Sequence, residues 1–148
     1  MAAEVKLLTR ADSKVLDHVA PGVFDHGISP RLRDEFLNDT RHHLAVAIEA
    51  GQVVGFASGV HYIHPDKPNE MWINEVAVAP SHWRQGVGRK VVEELLAHAK
   101  ALGCREAWVL TDRSNTAAMR LYTSAGGVEK PEETVMFEFP LSGEVTEG

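Results

Sequence analysis

Cysteine is almost missing. Cys104 is the only one in 148 residues, so no intramolecular disulfide can form and nothing points to an oxidising compartment. Its place just after Gly103, opening an apolar run, suits a buried or half-buried structural thiol better than a nucleophile. Long hydrophobic runs are missing too. No stretch approaches the roughly 20 apolar residues that cross a bilayer, and the start of the chain carries Glu4 and Lys6 where a leader would keep a basic end and an apolar block. The expected location is the cytoplasm, with no membrane partner. Basic residues are the minority, 15 Lys and Arg against 21 Asp and Glu, which argues against nucleic-acid binding and suits a cationic substrate. Metal-site spacing is also lacking. His42, His43, His61 and His64 belong to no His-Glu-x-x-His helix and no cysteine cluster, so they are read as surface or substrate-loop residues and no metal is expected. With 44% apolar residues the chain can bury one core without staples, which predicts a single domain over 1–148.

Patterning then predicts the elements. Glu4 to Thr9 alternates loosely and reads as an edge strand, and Ala11 to Asn38 reads as helix in two pieces, broken at Pro21-Gly22 and restarted at Ser29-Pro30. His43 to Ile48 and Val53 to Val60 flank Ala50-Gly51 as a hairpin. Tyr62 to Asn69 is a loop, and Met71 to Val78 a strand stopped by Pro80. Val87, Val91, Leu95, Ala99 and Leu102 recur at helical intervals up to Gly103. Ala107 to Thr111 is a short strand. Thr116 to Ala125 is a helix capped by Ser114 or Asn115, and Thr134 to Phe139 alternates as a terminal strand before a disordered tail over 142–148. The order predicts an α/β fold, a mixed sheet of six or seven strands flanked by about four helices with right-handed crossovers.

The most informative stretch joins a β-branched strand to a helix through Pro80, Ser81, His82, Trp83, Arg84, Gln85, Gly86, Val87 and Gly88. Strand, glycine turn and helix start together make an anion site. The first N–H groups of a helix have no internal partner, the helix dipole adds positive charge, and glycine lets a phosphate approach the main chain. Arg84 and Arg89 add formal charge. Two other phosphate motifs are excluded: Gly88 is followed by Arg89 and Lys90 where a P-loop needs Lys then Ser or Thr, and position 91 is Val where a Rossmann turn needs its third glycine.

These residues resemble the acetyl-CoA signature of GNAT acetyltransferases. Gly86 and Gly88 match its two small positions, while Trp83 stands where the family usually has Arg or Gln. A second stretch is similar to the family's next signature: Asn115, Ala118, Leu121, Tyr122 and Gly126 match at its spacing, and Gly127 replaces a common aromatic. The resemblance runs by order of elements from Val5 to Phe139. It implies a GNAT-like mixed sheet, an acetyl-CoA cosubstrate and N-acetyltransferase activity, with the cosubstrate held by Val76, Ala77, Val78, Arg84, Gln85, Gly86, Val87, Gly88, Arg89, Asn115 and Ala118, chiefly through main-chain N–H groups. A possible homodimer follows by analogy with relatives.

Acetyl transfer needs an amine with its lone pair available and a proton for the departing thiolate, hence one base and one acid. Glu75 is the expected base, a carboxylate in an otherwise apolar strand just upstream of the turn, costly there unless it opens on a cleft. Tyr122 is the expected acid, since a phenol of pKa about 10 is protonated at neutral pH. Within the family the closest resemblance is to type I aminoglycoside 3-N-acetyltransferases, carried by Ile73 to Val78, by Ala118 to Gly126 and by Glu132 to Phe137. It implies a small polycationic amine as partner. Such a substrate wants carboxylates, and Glu75, Asp112, Glu132 and Glu133 are the expected ones. Left open are a protein N-terminus, a polyamine or another small amine as acceptor, and a non-catalytic acetyl-CoA-binding module.

Overall fold

Runs of β-branched and small residues build the sheet, and one long amphipathic helix covers a face of it. The computed structural model describes residues 2–130 and 134–142. Strands β1 (Glu4–Leu7), β2 (His42–Glu49), β3 (Gln52–Tyr62), β4 (Glu70–Val78) and β5 (Glu106–Val109) form one sheet in the order β1-β2-β3-β4-β5. Its first four strands are antiparallel, and β4 and β5 are parallel. The helices are α1 (Pro30–Asn38), α2 (Val87–Ala101) and α3 (Thr116–Ser124), with 3-10 turns at Arg10–Asp17 and Pro80–His82.

The spacing of Val87, Val91, Leu95 and Ala99 puts one face of α2 on the sheet, where all four are buried. Leu95 lies with Met71 beside Gly59, and Val87 with Val78 beside Gly55. Packing is close enough that a Cβ at Gly55 would lie 2.8 Å from Val87 and one at Gly59 would lie 2.8 Å from Met71 Sδ and 3.2 Å from Leu95. α1 starts where Ser29 accepts from the Leu32 N–H (3.4 Å) and Pro30 occupies the first turn, as its sequence suggests. Cys104 is half-buried, and burial raises its thiol pKa.

Three expectations change. The first helical piece ends at Asp17, because the His18 carbonyl accepts from the Val53 N–H and the Ala20 N–H donates to the Val53 carbonyl (both 2.9 Å), so the chain leaves the helix for the sheet. The described segment from Thr134 to Phe139 is not a strand, so the sheet has five strands among the described residues, not six or seven. Val135, Phe137 and Phe139 alternate as a strand should, yet Met136 between them is as exposed as they are, at 75%. Alternation supplies a face; a strand also needs a neighbouring edge to pair with. The histidines are not all on the surface. His43 is 7% exposed and joins two partners, His61 (2.7 Å) through Nε2 and His98 (3.0 Å) through Nδ1. Because His43 uses opposite ring nitrogens, the three rings form a chain and do not converge on one point.

Burial, and the neighbouring imidazoles of His98 and His61, hold the His43 pKa down to about 4. Between that value and the unfolded imidazole's, about 6.5, the unfolded chain carries the extra proton, so stability falls as pH drops through this window. Thermal melts from pH 7 to pH 4 are expected to show Tm falling below about pH 6.5, and His43→Phe is expected to flatten that slope.

Candidate functional site

The register of β3 on β4 slips by one residue: Ser58 pairs with Glu75, and the next pair is Gly59 with Ile73. Asn74 is therefore an extra residue, a bulge. Its effect can be read from the side chains that pack under α2. Met71 and Val78 both lie on the α2 side, Met71 beside Gly59 with Leu95, and Val78 beside Gly55 and Gly88. Seven residues apart, they would fall on opposite faces of a regular strand. The bulge turns the second half of β4 over, so Glu75 faces away from α2, across from Ser58.

The bulge also ends the sheet on that side. Pairing of β4 with β5 stops at Ile73 and Val109. From Asn74 to Val78, β4 is bonded to β3 alone, and its other edge opens into a cleft of about 600 Å³. Glu75, Val76, Ala77 and Val78 form one wall; Asn115, Ala118, Leu121 and Tyr122 on α3 form the other. A molecule with amides of its own can take the place of the missing strand on such an edge. Asn115 caps α3 by accepting from the Ala118 N–H (3.1 Å). At the other end Gly126 and Gly127 donate to Thr123 (3.0 Å) and Tyr122 (2.8 Å), a Schellman motif. A Cβ at position 127 would lie 2.8 Å from that Tyr122 carbonyl, which accounts for glycine there. Tyr122 is thus held at a fixed point on the wall. Burial raises its pKa, so the phenol keeps its proton at neutral pH.

Beyond β4 the chain turns through Pro80–His82 into α2. Gly86 precedes the helix at φ 78°, a left-handed conformation in which glycine is unstrained, and Arg84 is at φ 63°. A Cβ at Gly88 would meet Leu121 at 3.3 Å, so this glycine lets α2 and α3 approach. The N–H groups of Val87, Gly88 and Arg89 head the helix without internal acceptors. Val87 is buried, so only its main chain can serve a ligand. Arg89 pairs with Glu93, whereas Arg84 is exposed on the turn. His82 ties the turn down, contacting Ser81 Oγ (2.8 Å) and Glu49 at the β2–β3 hairpin.

Of the acidic residues expected around the acceptor, Glu75 lines the cleft and Asp112 does not. Asp112 is exposed beyond β5, where its carbonyl accepts from Asn115 (2.9 Å). Glu132 and Glu133 lie outside the described residues. Sequence reading missed Asp25, which lines the cleft from the loop before α1 and carries no motif to mark it. It also missed what Trp83 does. The indole stands on the cleft wall and donates from Nε1 to the Val78 carbonyl (2.7 Å), joining the glycine turn to the open edge of β4. A second cavity, of about 290 Å³, borders the first and shares Asp25, Phe56 and Glu75 with it. Among the described residues no group of three or more His, Cys, Asp or Glu is placed to hold a metal, and no helix is long and apolar enough to cross a membrane.

Known proteins match this arrangement. The acetyltransferase (GNAT) family profile matches residues 13–126. An N-alpha-acetyltransferase RimI from Mycobacterium tuberculosis is 31% identical over 121 residues, covering 80% of this chain and 74% of that protein. A mycothiol acetyltransferase from Thermobifida fusca is 35% identical over 104 residues, 70% of this chain but 30% of the relative. Among solved structures, an aminoglycoside acetyltransferase from an uncultured soil metagenomic sample superposes with a TM-score of 0.79 at 22% identity, over 95% of this chain and 99% of that one.

Removing the Trp83 hydrogen bond should loosen the turn without unfolding it, since the ring is 62% exposed. Trp83→Phe is expected to weaken acetyl-CoA binding about fivefold by calorimetry, the worth of one net hydrogen bond, with an unchanged circular-dichroism spectrum.

Proposed function

Because the chain belongs to the acetyltransferase (GNAT) family, and so is an acetyl-CoA-dependent N-acetyltransferase, we propose that it transfers the acetyl group directly to a primary amine, with Glu75 as base and Tyr122 as acid. The observation that carries this reading is the bulge at Asn74, which turns Glu75 out of the core and opens the β4 edge opposite Tyr122.

In this reading the coenzyme's peptide-like arm lies along Val76, Ala77 and Val78, and its diphosphate meets the main chain of Gln85, Gly86, Val87, Gly88 and Arg89, with the guanidinium of Arg84 alongside. Asn115 and Ala118 flank the arm from α3. Glu75 takes one proton from the substrate ammonium. The nitrogen lone pair then forms a bond to the thioester carbon, and the carbon–sulfur bond breaks from the tetrahedral intermediate. Tyr122 gives its proton to the departing thiolate, and the second proton of the nitrogen restores the phenol through the open cleft. The products are an amide, coenzyme A as thiol and one proton. No acyl-enzyme is required, and Cys104, with its thiol pKa raised by burial, takes no part.

For the acceptor, the resemblance around Ile73 to Val78 and Glu132 to Phe137 supports an aminoglycoside modified at its 3-amino group. The M. tuberculosis relative supports a second reading, a peptide N-terminus. Thiol release from acetyl-CoA with a panel of aminoglycosides, polyamines and short peptides separates them, and silence across the panel despite coenzyme binding would favour a binding module.

Glu75→Gln is expected to lower kcat by about 10²- to 10⁴-fold, the usual worth of a general base, with acetyl-CoA affinity near wild type; equal turnover would remove Glu75 from the mechanism. Since the Tyr122 pKa is raised, kcat should show no descending limb between about pH 7 and pH 9, whereas Tyr122→Phe should lower kcat at every pH.

A further inference from the structure

The second cavity lies on the far side of Glu75 from the coenzyme cleft. We infer that it is the acceptor's pocket and that it selects a primary amine carried on a compact apolar body, aromatic or branched aliphatic, in preference to a polycation. This rests on the acetyl-transfer reading above and, for the acceptor, favours a small apolar amine over the aminoglycoside.

The walls carry the argument. Leu16, Phe24, Ile28, Leu32, Phe36 and Leu44 converge there from the first 3-10 turn, the loop before α1, α1 itself and β2. Phe24 stacks over Phe56 of β3, ring centroids 4.2 Å apart and planes 12° from parallel, so the two rings form stacked layers of apolar wall. At about 290 Å³ the cavity is at the small end of ligand pockets, which run from roughly 300 to 1,000 Å³. That space suits a body the size of one large side chain; a three-ring sugar would fill it and project beyond.

Negative charge is confined to one end. Asp25 and Glu75 are the acidic residues of the lining, and both also face the coenzyme cleft. An ammonium placed between them sits where the thioester must come, while the body behind it leaves water for Phe24 and Phe56. A second or third ammonium deeper in would be pressed against these apolar walls without a counter-charge, which is costly. It would also approach Arg33, a lining cation already held by Asp34 (2.9 Å) and Asp17 (3.5 Å). The loop residue Asp25 is thus the group that reads the acceptor's charge, and the wall behind it reads the body.

The test compares phenethylamine, leucinamide, spermidine and kanamycin as acceptors of the full chain, by thiol release and by calorimetric titration. The two apolar-bodied amines are expected to lead in kcat/KM and in affinity by at least about tenfold, the worth of a partly buried side chain. Leu32→Asp, at a wall residue 53% exposed and so tolerant of change, should reverse that order while leaving KM for acetyl-CoA unchanged. Asp25→Asn should raise KM for every amine by more than it changes KM for acetyl-CoA. Preference for kanamycin or spermidine, or an order that Leu32→Asp does not move, would overturn the inference while leaving acetyl transfer intact. Absence of thiol release with every amine would instead defeat the acetyl-transfer reading, and the titration alone would then decide the pocket: tighter kanamycin binding overturns it, and tighter phenethylamine binding upholds it.

Discussion

One extra residue in a strand organises this molecule. Asn74 has no partner of its own on β3, and a strand cannot absorb an extra residue without changing which face its side chains use. Up to Ile73, β4 is an ordinary internal strand with Met71 and Ile73 buried; beyond it, the same strand shows Glu75 to solvent and has one bonded edge. Without the bulge Glu75 would share the face of Met71 and point under α2, where an unpaired carboxylate is untenable. Backbone groups on the open edge also need partners. The indole of Trp83 already occupies the carbonyl of Val78, which shows that this edge accepts a donor arriving from the cleft.

The opening is tolerated because the rest of the sheet is closed. Val46, Val53, Val54, Met71, Val91, Val92 and Leu95 are the largest fully buried side chains, and they come from α2, β2, β3 and the first half of β4. The His43 chain links β2, β3 and α2 in the same region, so protonation is resisted where packing is densest. Stability and function are thereby separated along one strand: the half of β4 before Asn74 belongs to the core, and the half after it belongs to the cleft. The Schellman turn behind Tyr122 and the His82 contacts behind the glycine turn fix the cleft's other sides through main-chain and local bonds. These add little to the core.

Features that depend on near neighbours could be read from sequence. The α2 period, the Ser29 and Asn115 caps, the hairpin at Ala50-Gly51 and the glycine turn all state their structure within a few residues. The bulge was hard to read, because Ile73 to Val78 carries no glycine or proline to mark it; the adjacent polar pair Asn74-Glu75 was its one trace. The shortened first helix was hidden for a related reason: its competitor is Val53, far away in the chain. The terminal segment from Thr134 alternates as well, yet pairs with no strand among the described residues. Asp25 and the second cavity were invisible because five separate segments meet to make them.

With the acceptor pocket inferred above, the cavity walls weigh more than the overall charge. The chain carries a formal charge of −6, which invites a polycation as substrate. Part of that acidity is engaged away from the cavities: Asp12 with Lys6, Asp39 with Arg41, Glu93 with Arg89 and Glu129 with Arg113. Exposed pairs of this kind contribute little energy and, beyond a Debye length, little field. A bound amine responds to the carboxylates within a few ångströms and to the surfaces that exclude water around it. At that range the site presents Asp25 and Glu75 at its border and phenyl rings and leucines behind them. In the proposed reading, recognition is set where the two cavities join, at the same residue whose orientation the bulge controls.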